Sequence, residues 1–278
     1  MKQLEAFDRV YFVGIGGIGM SALARYFKFN GKQVAGYDKV ETPLTLKLSD
    51  EGIAIHYEDL GTEIPLAYQD PENTLVVYTP AIKALGELAF FQAEKFTILK
   101  RSEVLGALTK TYKSLCVAGT HGKTTTSALL THLLTTIDVG CTSFLGGIAS
   151  NFDSNLVLHA SSPYAVIEAD EFDRSFLQLS PYAAIVTAAD PDHLDIYGSE
   201  DAFVQGFRQF TMRVDPKGFC IQKEGLQLQS LAPVLTYAIA SQTANYSFIN
   251  LRYVNGFQVA DLKIGALMHE GFELGLIA

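Results

Sequence analysis

Short, wholly apolar runs alternate with longer half-apolar stretches through the first third of the chain. Val10-Tyr11-Phe12-Val13 has no charged position and predicts a buried strand, followed by a glycine turn and an amphipathic helix from about Ser21 to Phe29. Val34-Ala35-Gly36-Tyr37 predicts a second strand ending at Asp38, and Thr74 to Tyr78 another, stopped by Thr79-Pro80. Strands that alternate with helices imply a parallel sheet with helices on its faces. The pattern then repeats. Ser114-Leu115-Cys116-Val117-Ala118 opens a second α/β unit, continued by the run Thr126 to Leu134 and by strands at Tyr164 to Ile167 and Ala183 to Thr187. From about Gly218 the elements shorten to strands and turns, such as Asn250 to Phe257 and Phe272 to Leu276.

The fold class expected is therefore α/β: an N-terminal Rossmann-like parallel-sheet domain, then a central α/β domain of the P-loop ATPase type. Lys100 to Lys113 is a more polar stretch, and the boundary is placed within it, giving domains 1–106 and 107–278. A chain of 278 residues also exceeds the size at which a single core usually stops growing.

Composition changes this picture little but excludes several functions. A net charge of −9 argues against a broad surface for a nucleic acid polymer, though not against a nucleotide. Cys116, Cys141 and Cys220 are odd in number and lack C-x-x-C spacing, so neither a disulfide framework nor a zinc site is expected; a reducing cytoplasm fits. No stretch approaches the roughly 20 apolar residues needed to span a bilayer, and no signal-peptide pattern opens the chain. Oligomeric state is not readable.

The strongest chemical signal is Gly119-Thr120-His121-Gly122-Lys123-Thr124-Thr125, between an apolar strand and an amphipathic run. Glycines let backbone N–H groups approach an anion, and the helix N-terminus adds its positive end. Lys123 would neutralise phosphate charge, and the Thr124 hydroxyl would hold Mg²⁺ beside ATP. Val117 stands where the usual loop has its outer glycine. A glycine turn with a capping threonine is the plainer alternative, but Gly-Lys-Thr-Thr directly after a strand argues against it.

Two clusters follow the ends of later strands, the edge at which open parallel sheets bind ligands. Glu168-Ala169-Asp170-Glu171-Phe172-Asp173 places four acids in six residues. Like charges about 4 Å apart repel by ~1 kcal/mol in water and by more in a cleft, so such a cluster favours a nearby cation, although a solvated acidic turn is the simpler alternative. Asp190-Pro191-Asp192-His193 offers an imidazole with carboxylates to orient it, and a metal role is favoured beside the other two motifs. His56, His132, His159 and His269 have no ligand spacing and read as structural or exposed.

Gly14-Ile15-Gly16-Gly17-Ile18-Gly19 meets the dinucleotide fingerprint, with Asp38 about twenty residues beyond it. Residues alone suggest NAD, with Asp38 on a ribose. They equally allow any diphosphate ligand, a UDP-sugar included.

Taken together, these motifs resemble the Mur ligase family of peptidoglycan synthesis, and within it the alanine-adding branch. The segment from Tyr11 to Ser21 is similar to the family's opening UDP-binding segment, Ala118 to Thr126 to its ATP loop, Glu168 to Glu171 to its acidic metal-binding stretch, and Asp192 to Asp195 to the histidine segment that follows. The likeness runs from near residue 10 onward, with the motifs in the family's order. It implies an ATP-dependent amide-forming ligase that phosphorylates the lactyl carboxylate of UDP-N-acetylmuramate, after which L-alanine attacks the acyl phosphate. Catalytic positions would be Lys123, Glu168 and His193. Metal positions would be Thr124, Glu168 and His193, with Asp170 and Glu171 as supporting groups. The UDP-sugar would meet Gly14, Gly16, Gly17, Ile18, Gly19, Met20, Ser21, Asp38, Thr79, Ala81, Ile82, Arg101, His121 and Asn151, with Glu103 at the domain junction.

Two departures qualify the resemblance. Several sibling ligases use a carbamylated lysine, yet no lysine stands between Lys123 and Lys217. The family also has a third, C-terminal domain that this sequence does not reach, so a truncated chain with little or no turnover alone is expected. The alternatives are a ligase recycling a preformed murein peptide onto the same sugar, an NAD-binding oxidoreductase, and a non-catalytic nucleotide-sensing module.

Overall fold

A computed structural model describes residues 4–82, 84–192 and 194–274. The chain divides into two compact units, residues 1–114 with 124–168, and residues 115–123 with 169–278.

The first unit contains strands β1 (Arg9–Val13), β2 (Gln33–Tyr37), β3 (Ala54–His56), β4 (Thr74–Tyr78) and β5 (Thr97–Lys100). They form one sheet in the order β3-β2-β1-β4-β5, every neighbouring pair parallel. Helices α1 (Ile18–Phe29), α2 (Pro43–Asp50), α3 (Gly86–Ala93) and α4 (Arg101–Thr109) make the connections. This is the doubly wound order, and the strand order reverses at β1, the strand that leads into the glycine run. Tyr11, Val13, Ala35, Tyr68, Val76 and Phe91 form the core on one face. α1 begins three residues before the predicted Ser21, at Ile18.

The polar stretch after Lys100, in which no element was expected, carries α4. Its sequence hides a helix because its apolar side is narrow: Val104, Leu105 and Leu108 are buried, while the Glu103 carboxylate accepts from the Lys100 amide at 2.7 Å, satisfying a donor at the helix start.

The second α/β pattern supplies β6 (Lys113–Ala118), α5 (Lys123–Thr136), β7 (Thr142–Ala149), β8 (Ser154–Val157) and β9 (Tyr164–Ala169). Within the first unit β7 pairs antiparallel with β8 and parallel with β9. The grouping of these elements with the first sheet has a clear cause at β8. Asn155, fully buried, donates from its amide to the Ile18 carbonyl (2.6 Å) and to the Ser21 hydroxyl (2.9 Å), and accepts from Arg25 (2.6 Å).

In the second unit β6 pairs with β10 (Ala183–Val186), and the parallel run continues through β11 (Phe219–Lys223), β12 (Val234–Ile239) and β13 (Tyr246–Val254). Strands β14 (Phe257–Ile264) and β15 (Leu267–Glu273) then add in antiparallel fashion. Helices α6 (Leu194–Tyr197) and α7 (Glu200–Thr211) belong to the same unit. Phe176 stacks on Phe210 at 5.1 Å and meets Phe207 edge-on at 5.3 Å, anchoring α7.

The stretch of strand and turn expected over Asn250 to Phe257 is a hairpin. β13 ends at Val254 and β14 begins at Phe257, because Asn255 (φ 52°) and Gly256 (φ 84°) both take the left-handed conformation of a two-residue turn. The segment from Phe272 to Leu276 begins in the end of β15, which reaches Glu273; residues 275 and 276 lie outside the described residues.

Candidate functional site

The glycine run leaves the carboxyl end of β1 and enters α1 at Gly17. Gly14 turns with φ of 89° and lies so close to the loop after β4 that a Cβ there would sit 2.6 Å from the Thr79 methyl and 3.0 Å from Ile82. The amide of Gly16 donates to an Asp38 carboxylate oxygen at 2.7 Å. A Cβ on Gly19 would lie 2.5 Å from a guanidinium nitrogen of Arg101. Gly14, Gly16, Gly19, Asp38, Thr79, Ile82 and Arg101, scattered through the sequence, therefore meet around the start of a twelve-residue helix. A guanidinium beside a helix N-terminus suits a diphosphate. Asp38 has a local task in this structure, holding the loop through Gly16, and Gly17 caps α1 without a side chain. Met20 and Ser21 are buried, and the Ser21 hydroxyl donates to the Ile18 carbonyl while accepting from Asn155. Ala81 and Asn151 are exposed.

In the first unit, α5 presents Thr124 to the end of β9. Its hydroxyl donates to Glu168 Oε1 at 2.9 Å, and the Gly146 amide of β7 donates to Glu168 Oε2 at 2.9 Å. A hydroxyl and a carboxylate at that separation are hard oxygen donors of the kind Mg²⁺ takes alongside phosphate oxygens and water. Among the described residues no group of three His, Cys, Asp or Glu side chains converges as a ready-made metal cage. His193, the third expected metal position, lies outside the described residues.

In the second unit, Lys123 Nζ lies 2.9 Å from Glu171 Oε1 and donates to the Gly119 carbonyl at 2.7 Å. Glu171 is almost wholly buried, and its Oε2 has no hydrogen-bond partner among the described residues. Its carbonyl accepts from the Tyr197 hydroxyl at 2.7 Å. Burial first, then the Glu171 carboxylate, raises the Tyr197 phenol to about 12, so it stays a donor. The segment after Glu171 carries two successive non-glycine residues in the left-handed region, Asp173 (φ 51°) and Arg174 (φ 55°). Strain of this kind persists only where surrounding contacts enforce it; here Arg174 lies over the Tyr197 ring at 5.1 Å. His121 is exposed at the tip of the loop.

Residue patterns did not reveal three participants. Gly146, Asn155 and Thr187 each act across a long sequence separation. The Gly146-Gly147 pair directly after the apolar Phe144-Leu145 was the only local hint. The cysteines are buried and free; burial pushes the Cys116 thiol far up and the Cys220 thiol to about 11, so neither supplies a thiolate near neutrality. His56 proves to be structural, its Nε2 2.6 Å from the Tyr11 hydroxyl, which also donates to Glu87 at 2.7 Å.

The profile of the Mur ligase family catalytic domain matches residues 9–113, and that of the Mur ligase middle domain matches residues 117–265. The chain belongs to the Mur ligase family. It is 52% identical over 250 residues to the UDP-N-acetylmuramate–L-alanine ligase of Phocaeicola vulgatus, covering 89% of this chain and 55% of that protein. To the enzyme of the same name from Parabacteroides distasonis it is 47% identical over 284 residues, covering 97% of this chain and 61% of that protein. The crystal structure of UDP-N-acetylmuramate-alanine ligase from Thermotoga maritima superposes with a TM-score of 0.81 at 28% identity, over 96% of this chain and 60% of that chain. The chain thus spans about 55–61% of the length of these three relatives. Both expected α/β parts, one Rossmann-like and one of the P-loop ATPase type, are those of the family. An NAD-binding oxidoreductase is no longer favoured, since both halves of the chain match ligase domains.

Proposed function

We propose that this chain carries the sugar-nucleotide and ATP sites of a ligase joining the lactyl carboxylate of UDP-N-acetylmuramate to L-alanine through an acyl phosphate. The observation that carries the proposal is the Thr124–Glu168 contact of 2.9 Å directly after the phosphate loop, in a chain whose relatives bear the name of that enzyme. Residues 1–106 would bind the sugar nucleotide and residues 107–278 ATP. Such an enzyme works in the cytoplasm, where UDP-linked precursors and ATP are found, and serves cell-wall synthesis.

The amides of Gly119 and Gly122 would cradle the phosphates, and Lys123 would exchange its Glu171 and Gly119 partners for phosphate oxygens. Thr124 and Glu168, with His193, would hold Mg²⁺, which supplies charge neutralisation on the transferring phosphoryl group. Around the other ligand, Gly14, Gly16 and Gly19 leave room for a diphosphate, and Arg101 supplies its countercharge. The chain's own contribution is alignment of carboxylate and phosphate rather than covalent chemistry.

Separate sites predict separable losses. Lys123→Ala is expected to weaken Mg-ATP binding at least tenfold in calorimetry while leaving UDP-N-acetylmuramate binding within about twofold, and Arg101→Ala the reverse. Loss of both ligands in either variant would contradict the assignment.

A further inference from the structure

We infer that Thr187 is a positioning residue of the nucleotide site: its hydroxyl pins the carbonyls on both sides of the phosphate-loop turn, and nucleotide affinity depends on it. The inference rests on the proposed ATP role of the loop.

Thr187 directly follows β10. Its amide donates to the Ala118 carbonyl at 3.0 Å, and its hydroxyl is within reach of that same carbonyl (3.2 Å) and of the His121 carbonyl. One proton is thus shared between two acceptors flanking the turn. The next residue continues the seam, since the Ala188 carbonyl accepts from the Thr120 amide at 3.3 Å. Tyr237, from β12, donates to the Thr187 carbonyl at 3.2 Å and fixes the brace from behind. Gly119 has a φ of 139°, and a Cβ there would fall 2.1 Å from the Thr187 hydroxyl oxygen. The glycine is what lets the hydroxyl in.

The consequence follows from peptide geometry. In a planar trans peptide the C=O and the N–H point in opposite directions. The Ala118 carbonyl shares its peptide with the Gly119 amide, and the His121 carbonyl shares its peptide with the Gly122 amide. Holding those two oxygens against Thr187 therefore turns the Gly119 and Gly122 N–H groups to the opposite side, away from β10. An anion-binding loop needs this orientation, because a carbonyl rotated inward would meet phosphate with its negative end. The Gly119 peptide is turned the other way, its carbonyl facing Lys123 and its Thr120 amide meeting Ala188.

The test is calorimetric titration of the 278-residue chain with Mg-ADP, using Thr187→Val, which keeps the shape and removes the donor, and Thr187→Ser, which restores the donor. Thr187→Val is expected to bind about tenfold more weakly and Thr187→Ser within about twofold of the unaltered chain, with thermal unfolding of both close to its value. Equal binding by Thr187→Val, or an equal loss in Thr187→Ser, would overturn the role of Thr187 alone. No Mg-ADP binding by the unaltered chain would overturn the ATP assignment, and this role with it. Should Thr187→Val fail to fold, Thr187→Ala is read in its place; failure of both to fold would also contradict a role confined to the loop.

Discussion

Glu168 shows how one side chain is set by residues far from it. Both its oxygens are engaged, one by the Thr124 hydroxyl and one by the Gly146 amide, and a Cβ on Gly146 would fall 2.2 Å from Oε1. Glu168→Gln keeps this shape and removes the charge. It is expected to weaken Mn²⁺ binding, read by electron paramagnetic resonance in the presence of ADP, at least tenfold without lowering the melting temperature. Gly146→Ala should give a similar loss by pushing the carboxylate aside; unchanged Mn²⁺ affinity in both would remove Glu168 from the metal site. The Gly-Lys-Thr run was legible because its parts are contiguous. Gly146 and Thr187 were not, because each gains meaning only from a partner many residues away, and a lone glycine or threonine carries no spacing signal.

At the scale of elements, β1, β2, β4, β6, β9 and β10 were legible because their centres are apolar runs buried on both faces; β3, β5, β11 and β12 were not, because exposed positions break up their apolar pattern. α4 was not, since its charged residues cluster at its start, where they cap the helix rather than interrupt it. Two polar networks tie elements together. Glu87 at the start of α3 is fully buried and accepts from the Tyr11 hydroxyl of β1 and from the Leu60 amide at 3.0 Å. Burial, reinforced by the Glu87 carboxylate, pushes the Tyr11 phenol far above its ordinary range, so it remains a donor. Glu87→Ala strands both donors and should cost about 2–4 kcal/mol in urea unfolding; a loss below about 0.5 kcal/mol would show that the network contributes nothing.

The β13–β15 sheet edge carries the other network. Asp261 accepts from Asn250 (2.8 Å), the Gly271 amide (2.9 Å) and Arg252 (2.9 Å), which together hold its carboxyl down at about 2. An unfolded aspartate titrates near 3.9, so the folded state binds its proton later. The resulting stability is present above about pH 4 and is lost as pH falls through about 2. Between those values the urea midpoint should fall less steeply in Asp261→Asn than in the unaltered chain; identical slopes would contradict the assignment.

For the molecule as a whole, the order of motifs was more informative than any one of them. The glycine run alone left NAD and a UDP-sugar open. A phosphate loop, an acidic stretch and a histidine segment following it in sequence gave the run a shared purpose, and the two matched family domains cover the same segments. Composition spoke only to exclusions, and among the described residues no helix is long and apolar enough to cross a membrane. The central claim is that the first glycine run holds the diphosphate of a muramyl sugar nucleotide. Its most direct test is calorimetric titration of the chain with UDP-N-acetylmuramate, with NADH titrated in parallel. Saturable one-to-one binding of the sugar nucleotide, lost in Arg101→Ala, with no heat from NADH, is the predicted result. Tight NADH binding with no response to UDP-N-acetylmuramate would contradict it.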